Sequence, residues 1–201
     1  MSDYDLAVLG GGPGGYAAAL YGASAGMRVA LVESDDLGGT CLNRGCIPAK
    51  SLLHTAEVYR TATRSAEFGV VSEGNGGFAV DWPRVSSRTD GIVGTLVGGL
   101  SSLLRRRKVE IIEGRGRLDA SGRIEVGGGP IDAASVIIAT GSEPKGLPGF
   151  DVDGQRVVTS DHATRSTTLP GRVAVIGGGV VGVEFASLYT DVGVETTLLE
   201  A

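Results

Sequence analysis

The chain contains two copies of one glycine-rich pattern at a constant offset of 167 residues. The first copy spans residues 6–33 and the second spans residues 173–200, and ten of the 28 aligned positions are identical. Each copy starts with a short apolar run that ends in glycine, which is typical of a buried parallel strand. The spacing G-x-G-x-x-G follows, then a helix of small residues at 16–25 or 183–192, and then a second strand that ends in an acidic residue. This order predicts a β-α-β unit in each copy.

The glycine spacing also predicts what each unit binds. In such a unit the first glycine allows a tight turn, the second lets the backbone approach a pyrophosphate, and the third lets the helix pack on the strand. The helix N-terminus offers unpaired N–H groups and a positive dipole to the phosphates, and the acid accepts hydrogen bonds from an adenosine ribose. The sequence therefore predicts two dinucleotide sites, with Glu33 and Glu200 as the acids. Because an acid would repel an added 2′-phosphate, Glu200 favours NAD over NADP at the second site.

Composition is consistent with this interpretation and excludes other classes. Of 201 residues, 34 are glycine, but only 7 are proline and glycine shows no three-residue period, which excludes collagen. The chain is 42% hydrophobic and 20% charged, which excludes disorder for most of it. A formal net charge of −5 gives no indication of nucleic-acid binding. No run approaches the roughly 20 apolar residues of a membrane helix, and the acidic start lacks the basic region of a signal peptide. We therefore expect a soluble, cytoplasmic protein.

The two cysteines, Cys41 and Cys46, lie close together between the glycine-rich copies. Pro48 suits the first turn of a helix, which places Cys46 near a helix N-terminus, where the dipole favours a thiolate. Residues five apart in a regular helix have Cα atoms about 8.6 Å apart, whereas a disulfide needs roughly 4.4 to 6.8 Å. A bridge thus requires a distorted first turn, which Gly45 can supply. A bond held under such constraint is easier to reduce than a relaxed one.

Three interpretations of the cysteine pair compete. A structural disulfide that closes so short a loop would stabilise the fold little. A metal site would need more ligands, and the only histidines are His54 and His162. A redox-active dithiol beside a flavin is therefore the favoured interpretation, and no metal is expected.

We call the glycine-rich turn of each copy a fingerprint, and the second fingerprint reads G-G-G-V-V-G-V-E. Between the two fingerprints, residues 38–50 read G-G-T-C-L-N-R-G-C-I-P-A-K. These motifs together resemble those of the class I pyridine nucleotide–disulfide oxidoreductases. Within that family the chain is most similar to the dihydrolipoamide dehydrogenases of the 2-oxoacid dehydrogenase complexes. Glutathione and mercuric reductases share the C-x4-C but tend to carry valine after the first cysteine and to prefer NADPH. Leu42, Ile47 and Glu200 suit the lipoamide enzymes better. The implied fold is α/β, with two Rossmann-like dinucleotide-binding domains of which the second is truncated.

The resemblance implies a role for each motif. Cys41 would be the interchange thiol that attacks the dithiol substrate, and Cys46 the inner thiol against the flavin. Lys50, one turn beyond Cys46, would lie buried near the flavin and pair with Glu184, which keeps it charged; the alternative is an exposed surface lysine. Electrons would pass from dihydrolipoamide through the disulfide and FAD to NAD+. FAD would be held by Gly10, Gly12, Gly14, Gly15, Glu33, Gly38, Gly39, Thr40, Lys50, Gly116, Thr140 and Gly141, and NAD by Gly177, Gly179, Gly182 and Glu200.

The resemblance further implies that the chain corresponds to the N-terminal part of such an enzyme. The second fingerprint stops after its first β-α-β unit, and the family's histidine–glutamate pair, which acts across a homodimer, would lie in the remaining part. The expected partner is dihydrolipoamide or the lipoyl domain of an acyltransferase. A second hypothesis is a binding fragment that holds a dinucleotide without turnover.

The remaining patterns predict structural elements. We predict an FAD-binding domain at 1–145, a linker rich in proline, glycine and serine within 146–170, and the start of an NAD-binding domain at 171–201. Helical spacing predicts a helix over 82–107 that ends in a solvated basic run, and a hairpin is expected over 115–126. His54 and His162 are expected to be structural.

Overall fold

The computed structural model describes residues 2–71, 77–127 and 129–200. Two compact units divide the chain: the first comprises Met1–Asn43 and Val93–Lys145, and the second Arg44–Ile92 and Gly146–Ala201. The predicted domain bounds at 145 and 170 stay a prediction. In chain order the elements are β1 (Leu6–Leu9), α1 (Pro13–Ser24), β2 (Val29–Glu33), α2 (Gly39–Asn43), α3 (Cys46–Thr63), a 3-10 turn (Ser65–Phe68), α4 (Trp82–Arg106), β3 (Glu110–Glu113), β4 (Arg117–Leu118), β5 (Ile124–Val126), β6 (Gly129–Ile131), β7 (Val136–Ile138), α5 (Ser160–Ala163), β8 (Arg172–Ile176), α6 (Val180–Asp191) and β9 (Glu195–Leu199).

The first unit is built on a four-stranded parallel sheet in the order β3-β2-β1-β7. Helix α1 connects β1 to β2, which is the predicted β-α-β unit of the first glycine-rich copy. Both strands are buried almost throughout, as a strand covered on both faces must be. The predicted α/β fold class is confirmed.

Alternating side chains of β1 and β2 pack against different layers. Leu6, Val8 and Leu31 lie in one cluster with Leu104 near the end of α4. Their neighbours along the strands, including Leu9 and Val32, lie in a second cluster with Ile124 and Ile131 of a three-stranded antiparallel sheet, β4-β5-β6. The parallel sheet is therefore covered by helices on one face and by the small sheet on the other.

The predicted hairpin is present as β4 and β5, joined by a turn that Asp119 organises. The carboxylate accepts hydrogen bonds from the hydroxyl of Ser121 and the backbone N–H of Arg123, and they lower the pKa of Asp119 from 3.8 to about 2. Strand β6, which adds a third member to this sheet, was not predicted, since its three residues include a glycine and a proline, both depleted in strands.

The long helix α4 was predicted nearly to its bounds and ends at Arg106 rather than at 107. The chain turns at Lys108, which has the left-handed φ of 59°. The basic run that ends the helix is exposed, as expected of a solvated, dipole-complementing terminus. No helix within the described parts of the chain is long and apolar enough to cross a membrane.

The second unit packs α3 against α6. Its core contains Leu52, Trp82, Phe185 and Leu188, joined in the same cluster by Ala56, Tyr189, Val192 and Val194. Two ion pairs join α3 and α6: Lys50 with Glu184 near their starts, and Arg60 with Asp191 at 3.0 Å near their ends. The two helices thus run in the same general direction.

The second glycine-rich copy forms the parallel pair β8-β9 with α6 between the strands. The prediction that β8 is buried was wrong. Residues of β8 alternate between exposed and half-buried, and the side chains of Leu198 and Leu199 are 42% and 52% exposed. Burial of a parallel strand requires cover on both faces, and within the described residues this sheet has two strands and one covering helix.

The helix starts were predicted about one turn too late. Helix α1 begins at Pro13 rather than at 16, and α6 begins at Val180 rather than at 183. Proline is well suited to the first helical turn because its missing N–H is not needed there. The stretch predicted as a linker contains the short helix α5, whose capping box joins Thr159 and His162. This structural role agrees with the prediction for His162, and His54 pairs with Glu57 at the surface.

Candidate dinucleotide sites and cysteine pair

The first glycine fingerprint folds as a tight turn between β1 and α1. Gly10 has a φ of 105°, which a residue with a side chain rarely adopts, and a Cβ there would lie 2.7 Å from the carbonyl carbon of Ala139. A Cβ at Gly15 would lie 2.8 Å from the carbonyl carbon of Gly10 and would overlap the carbonyl oxygen. The first and third glycines therefore perform the roles predicted for them, a tight turn and close helix–strand packing.

The middle glycine faces open space. A Cβ at Gly12 would meet only the Cα of Gly39, at 3.8 Å, whereas a Cβ at Gly39 would come within 2.7 Å of the Cα of Gly12. The two glycine-rich turns also share a hydrogen bond from the N–H of Gly38 to the carbonyl of Gly11, at 2.9 Å. Backbone thus approaches backbone here, and a ligand at Gly12 would meet main-chain atoms rather than side chains.

Glu33 connects the end of β2 to the glycine turn. One carboxylate oxygen accepts the N–H of Gly11 at 2.7 Å, and the other accepts the N–H groups of Ser34 and Asp35 at 2.6 and 2.9 Å. A carboxylate offers about four acceptor positions, so one remains for a ribose hydroxyl. The pattern of residues predicted the acid but not this hydrogen bond to the turn, which carries no signal in the sequence.

The other residues assigned to FAD divide into two groups. Thr140 and Gly141 follow β7 and are exposed at the carboxyl end of the sheet, where the N–H of Ala139 donates to the carbonyl of Leu9 at 2.8 Å. Thr40 is exposed at the start of α2 and Gly14 is exposed in the first turn of α1. Gly116 also has a packing role, since a Cβ there would overlap the side chain of Leu9 and lie 3.1 Å from Val32, and its contact with FAD stays a prediction.

These observations fit a bound dinucleotide at the carboxyl edge of the first sheet. The turn after β1, the acid that ends β2 and the exposed residues after β7 all lie at this edge, which is where open parallel sheets bind their ligands. The open position at Gly12 and the free N–H groups of the first turn of α1 suit a pyrophosphate. FAD therefore fits the residues present.

The second fingerprint repeats the geometry of the first. Gly177 has a φ of 106°, and a Cβ at Gly182 would lie 3.0 Å from the carbonyl carbon of Gly177 and overlap the carbonyl oxygen. A Cβ at Gly179 would meet no atom within 4 Å among the described residues. Glu200 accepts the N–H of Gly178, as Glu33 accepts that of Gly11. The second copy thus has the same backbone geometry as the first, and the dinucleotide site expected there stays a prediction.

Lys50 and Glu184 form the ion pair that the resemblance implied. Lys50 lies one turn beyond Cys46 on α3, and Glu184 lies in the first half of α6. The lysine side chain is 60% exposed, so the expectation of a buried lysine was wrong. An ammonium group on a long, flexible stem keeps its head in water unless other groups cover it, and none of the described residues does so.

The cysteines lie in different helices. Cys41 is half-buried in α2, and Cys46 is the exposed first residue of α3. The helix is interrupted between them, and Gly45 has φ −120° and ψ −108°, outside the helical region. The predicted distortion at Gly45 is therefore present. Neither cysteine takes part in a disulfide within the described structure, and their role as a redox pair stays a prediction.

The fold and the two fingerprints define a class of protein. The family of pyridine nucleotide-disulphide oxidoreductases matches residues 4–201, and the chain belongs to this family, whose members use FAD and a pyridine nucleotide. The chain is 42% identical over 212 residues to dihydrolipoyl dehydrogenase of Bacillus subtilis, in an alignment that covers 99% of this chain and 44% of the relative. It is 44% identical over 201 residues to dihydrolipoyl dehydrogenase of Thermus scotoductus, in an alignment that covers 100% of this chain and 42% of the relative.

Solved structures agree with the sequence relatives. LpdA from Mycobacterium tuberculosis has a TM-score of 0.84 at 27% identity, over 97% of this chain and 44% of that one. The second structure is the Cu(II) complex of RclA from Escherichia coli, an HOCl-induced flavoprotein disulfide reductase. It has a TM-score of 0.83 at 29% identity, over 100% of this chain and 43% of that one. The chain thus spans less than half the length of each of these four relatives.

Proposed function

We propose that the chain carries the redox-active part of an FAD-dependent, NAD-linked dihydrolipoyl dehydrogenase that serves the 2-oxoacid dehydrogenase complexes. The observation that carries the proposal is the position of Cys46 at the start of α3, one turn before the lysine that pairs with Glu184 of the second fingerprint helix. This arrangement joins a thiol to a dinucleotide-binding element within one unit. The names of the similar proteins from Bacillus subtilis and Thermus scotoductus support the choice of reaction.

The proposed first step is thiol–disulfide exchange on the cysteine pair. A thiolate of the dihydrolipoyl substrate attacks the sulfur of Cys41 and displaces Cys46 as a thiolate. The second substrate thiol then closes the lipoyl ring and releases Cys41, so one disulfide is reduced and one is formed. The sulfur displaced in this step belongs to the first residue of α3.

Re-oxidation of the protein dithiol requires a two-electron acceptor. Bound FAD supplies this acceptor, and a pyridine nucleotide supplies the final one. The chain's own contribution is to hold the phosphates at the N-termini of α1 and α6, and to bind ribose hydroxyls at Glu33 and Glu200. The Lys50–Glu184 ion pair fixes the lysine ammonium group on α3, whose Lys50 lies one helical turn from Cys46.

The acid at position 200 supports NAD rather than NADP as the acceptor. Its carboxylate already accepts the N–H of Gly178, which fixes a negative charge beside the second fingerprint. A 2′-phosphate at that place would meet this charge. We further propose the lipoyl domain of an acyltransferase as the physiological partner, a homodimer as the complete assembly, and the cytoplasm as its location.

A second candidate is a disulfide reductase that works in the opposite direction, on a glutathione-like or mercuric substrate. The similarity to RclA, which is described as a flavoprotein disulfide reductase, favours this candidate. The two differ in substrate and in nucleotide, since a reductase would consume a reduced nucleotide and a small disulfide. A fragment that binds a dinucleotide without turnover is the third outcome.

One experiment separates these functions. The protein is produced at the length of the relatives that it matches, because the resemblance places the histidine–glutamate pair outside residues 1–201. Its absorbance is scanned for bound flavin, and formation of NADH from NAD+ and dihydrolipoamide is followed. We expect a yellow protein that uses NAD+ in preference to NADP+. Oxidation of NADPH with glutathione disulfide, but not with lipoamide, would favour the reductase, and flavin binding without either activity would favour the fragment. Cys41→Ser is the control, because it keeps the fold but removes the attacked sulfur.

A further inference from the structure

Arg44, which lies between the two cysteines, is bound by a segment far away in the sequence. The hydroxyl of Thr164 donates a hydrogen bond to the carbonyl oxygen of Arg44 at 3.0 Å, across 120 residues of sequence. Thr164 is only 5% exposed. The guanidinium of Arg44 also forms an ion pair with Asp161, with 3.7 Å between the charged groups. Both the backbone and the side chain of Arg44 are therefore bound by residues at or next to α5.

Helix α5 is too short to be stable alone, and several contacts fix it. A capping box closes its N-terminus: the Thr159 side chain accepts the backbone N–H of His162, and the His162 side chain accepts the backbone N–H of Thr159. The Thr164 hydroxyl also lies 3.2 Å from the carbonyl oxygen of Asp161, so its single hydrogen is shared between this carbonyl and that of Arg44. Just beyond, the indole N–H of Trp82 donates to the carbonyl of Ser166 at 2.9 Å, and Trp82 belongs to the core of the second unit.

The bound residue immediately precedes the glycine that interrupts the helix between the two cysteines. Arg44 is followed by Gly45, whose non-helical conformation separates α2 from α3, and then by Cys46. Glycine has more accessible conformations than any other residue, so a segment that ends in glycine holds its shape only if its neighbours are anchored. The hydrogen bond from Thr164 supplies such an anchor two residues before Cys46.

We propose that Thr164 and Asp161 are positioning residues that bind the Arg44 segment and thereby favour closure of the Cys41–Cys46 disulfide. The inference rests on the proposed function, because it assumes that these cysteines form a redox pair. An anchored segment samples fewer conformations as a dithiol, so it loses less entropy when the ring closes. Loss of the anchor then favours the dithiol, and the disulfide becomes easier to reduce.

The test measures the redox equilibrium of the pair in the full chain. Wild type and variants are equilibrated with mixtures of oxidised and reduced dithiothreitol, and free thiols are then alkylated. Mass spectrometry gives the ratio of alkylated dithiol to disulfide for each protein. The protein dithiol gives two electrons and two protons to the oxidised reagent, whose ring opens as the protein disulfide forms. Thr164→Val removes the hydroxyl and keeps the shape. We expect it to lower the equilibrium constant for disulfide formation about tenfold, which equals about 30 mV for a two-electron couple.

Three further variants make the result specific. Thr164→Ser keeps a hydroxyl, so its equilibrium constant should lie within about twofold of wild type, a much smaller change than the about tenfold change expected of Thr164→Val. The Asp161 side chain is partly exposed, so Asp161→Asn should fold normally. It should lower the equilibrium constant for disulfide formation less than Thr164→Val does. Thr63→Val removes an exposed hydroxyl that donates to backbone carbonyls at the far end of α3, and should have no effect.

Two results would overturn the inference while leaving the redox pair intact. One is a Thr164→Val protein with the wild-type equilibrium. The other is an equal shift in Thr164→Val and Thr63→Val, which would reflect a general loss of stability. If wild type itself forms no disulfide at any ratio of the reagent, the proposed redox pair is wrong and the inference fails with it.

Discussion

Replacement of Gly15 by alanine tests whether the third glycine of the first fingerprint is required for packing. The added Cβ would lie 2.8 Å from the carbonyl carbon of Gly10 and would overlap its oxygen. Both atoms belong to the backbone of the turn between β1 and α1, so no side-chain rotation can relieve the contact. The helix must move away from the buried strand, or the turn must change its conformation.

The expected cost follows from this geometry. Overpacking of a well-packed core typically costs about 1 to 3 kcal/mol, and the upper end applies when backbone atoms must move. We therefore expect Gly15→Ala to lower the free energy of unfolding by about 3 kcal/mol, a large share of the roughly 5 to 15 kcal/mol that holds a typical domain together. Gly14→Ala is the matched control, since its Cβ would meet only Ala139, at an ordinary 3.8 Å. Alanine is also the better helix former by up to about 1 kcal/mol.

Urea unfolding of the cofactor-free chain, followed by far-ultraviolet circular dichroism, measures both variants against wild type. Gly15→Ala should unfold at a clearly lower urea concentration, while Gly14→Ala should match or exceed wild type. Equal midpoints for the two variants would refute the packing role of the third glycine. The same comparison in the second unit, with Gly182→Ala, should give a similar loss because its Cβ overlaps the carbonyl oxygen of Gly177.

Three other predictions concern separate parts of the molecule. The Asp119 carboxyl, held ionised by hydrogen bonds from Ser121 and the turn backbone, should titrate by NMR near its pKa of about 2. Because this folded-state pKa is below the ordinary 3.8, the stability it contributes should be complete above pH 4 and should disappear as the pH falls towards 2, and Asp119→Asn should remove this dependence. Leu52→Ala, at a 1% exposed core position, should cost about 2 to 5 kcal/mol, measured by the fluorescence of the single tryptophan, Trp82, in the same cluster. Glu184→Gln should cost less than about 1 kcal/mol in urea unfolding, because its partner lysine is mostly exposed.

Features set by local sequence were predictable. The two β-α-β units follow from apolar runs, glycine spacing and an acid in fixed order, and the structure has both. The long helix α4 has regular apolar spacing and was placed to within one residue at its end. The Lys50–Glu184 pair, which joins residues 134 apart, came only from the family resemblance, since no local pattern carries it.

Features that depend on distant contacts or on the surroundings of an element were not predictable. The hydrogen bond from Thr164 to Arg44 and the ion pair of Asp161 join segments with no shared periodicity. The exposure of Lys50 and of strand β8 depends on what covers them, which a local pattern cannot report. Short elements such as α5 and β6 contain too few residues to show a period.

The most direct test of the proposed redox pair is the absorbance spectrum of the flavin-loaded protein after reduction with dihydrolipoamide in the absence of oxygen. A thiolate in contact with flavin adds a long-wavelength band, so the band reports which cysteine lies against the cofactor. We predict that Cys46→Ser abolishes this band and that Cys41→Ser keeps it. A band that survives in Cys46→Ser and vanishes in Cys41→Ser would mean that the roles are exchanged. Its absence from wild type would contradict the proposed flavin–dithiol centre.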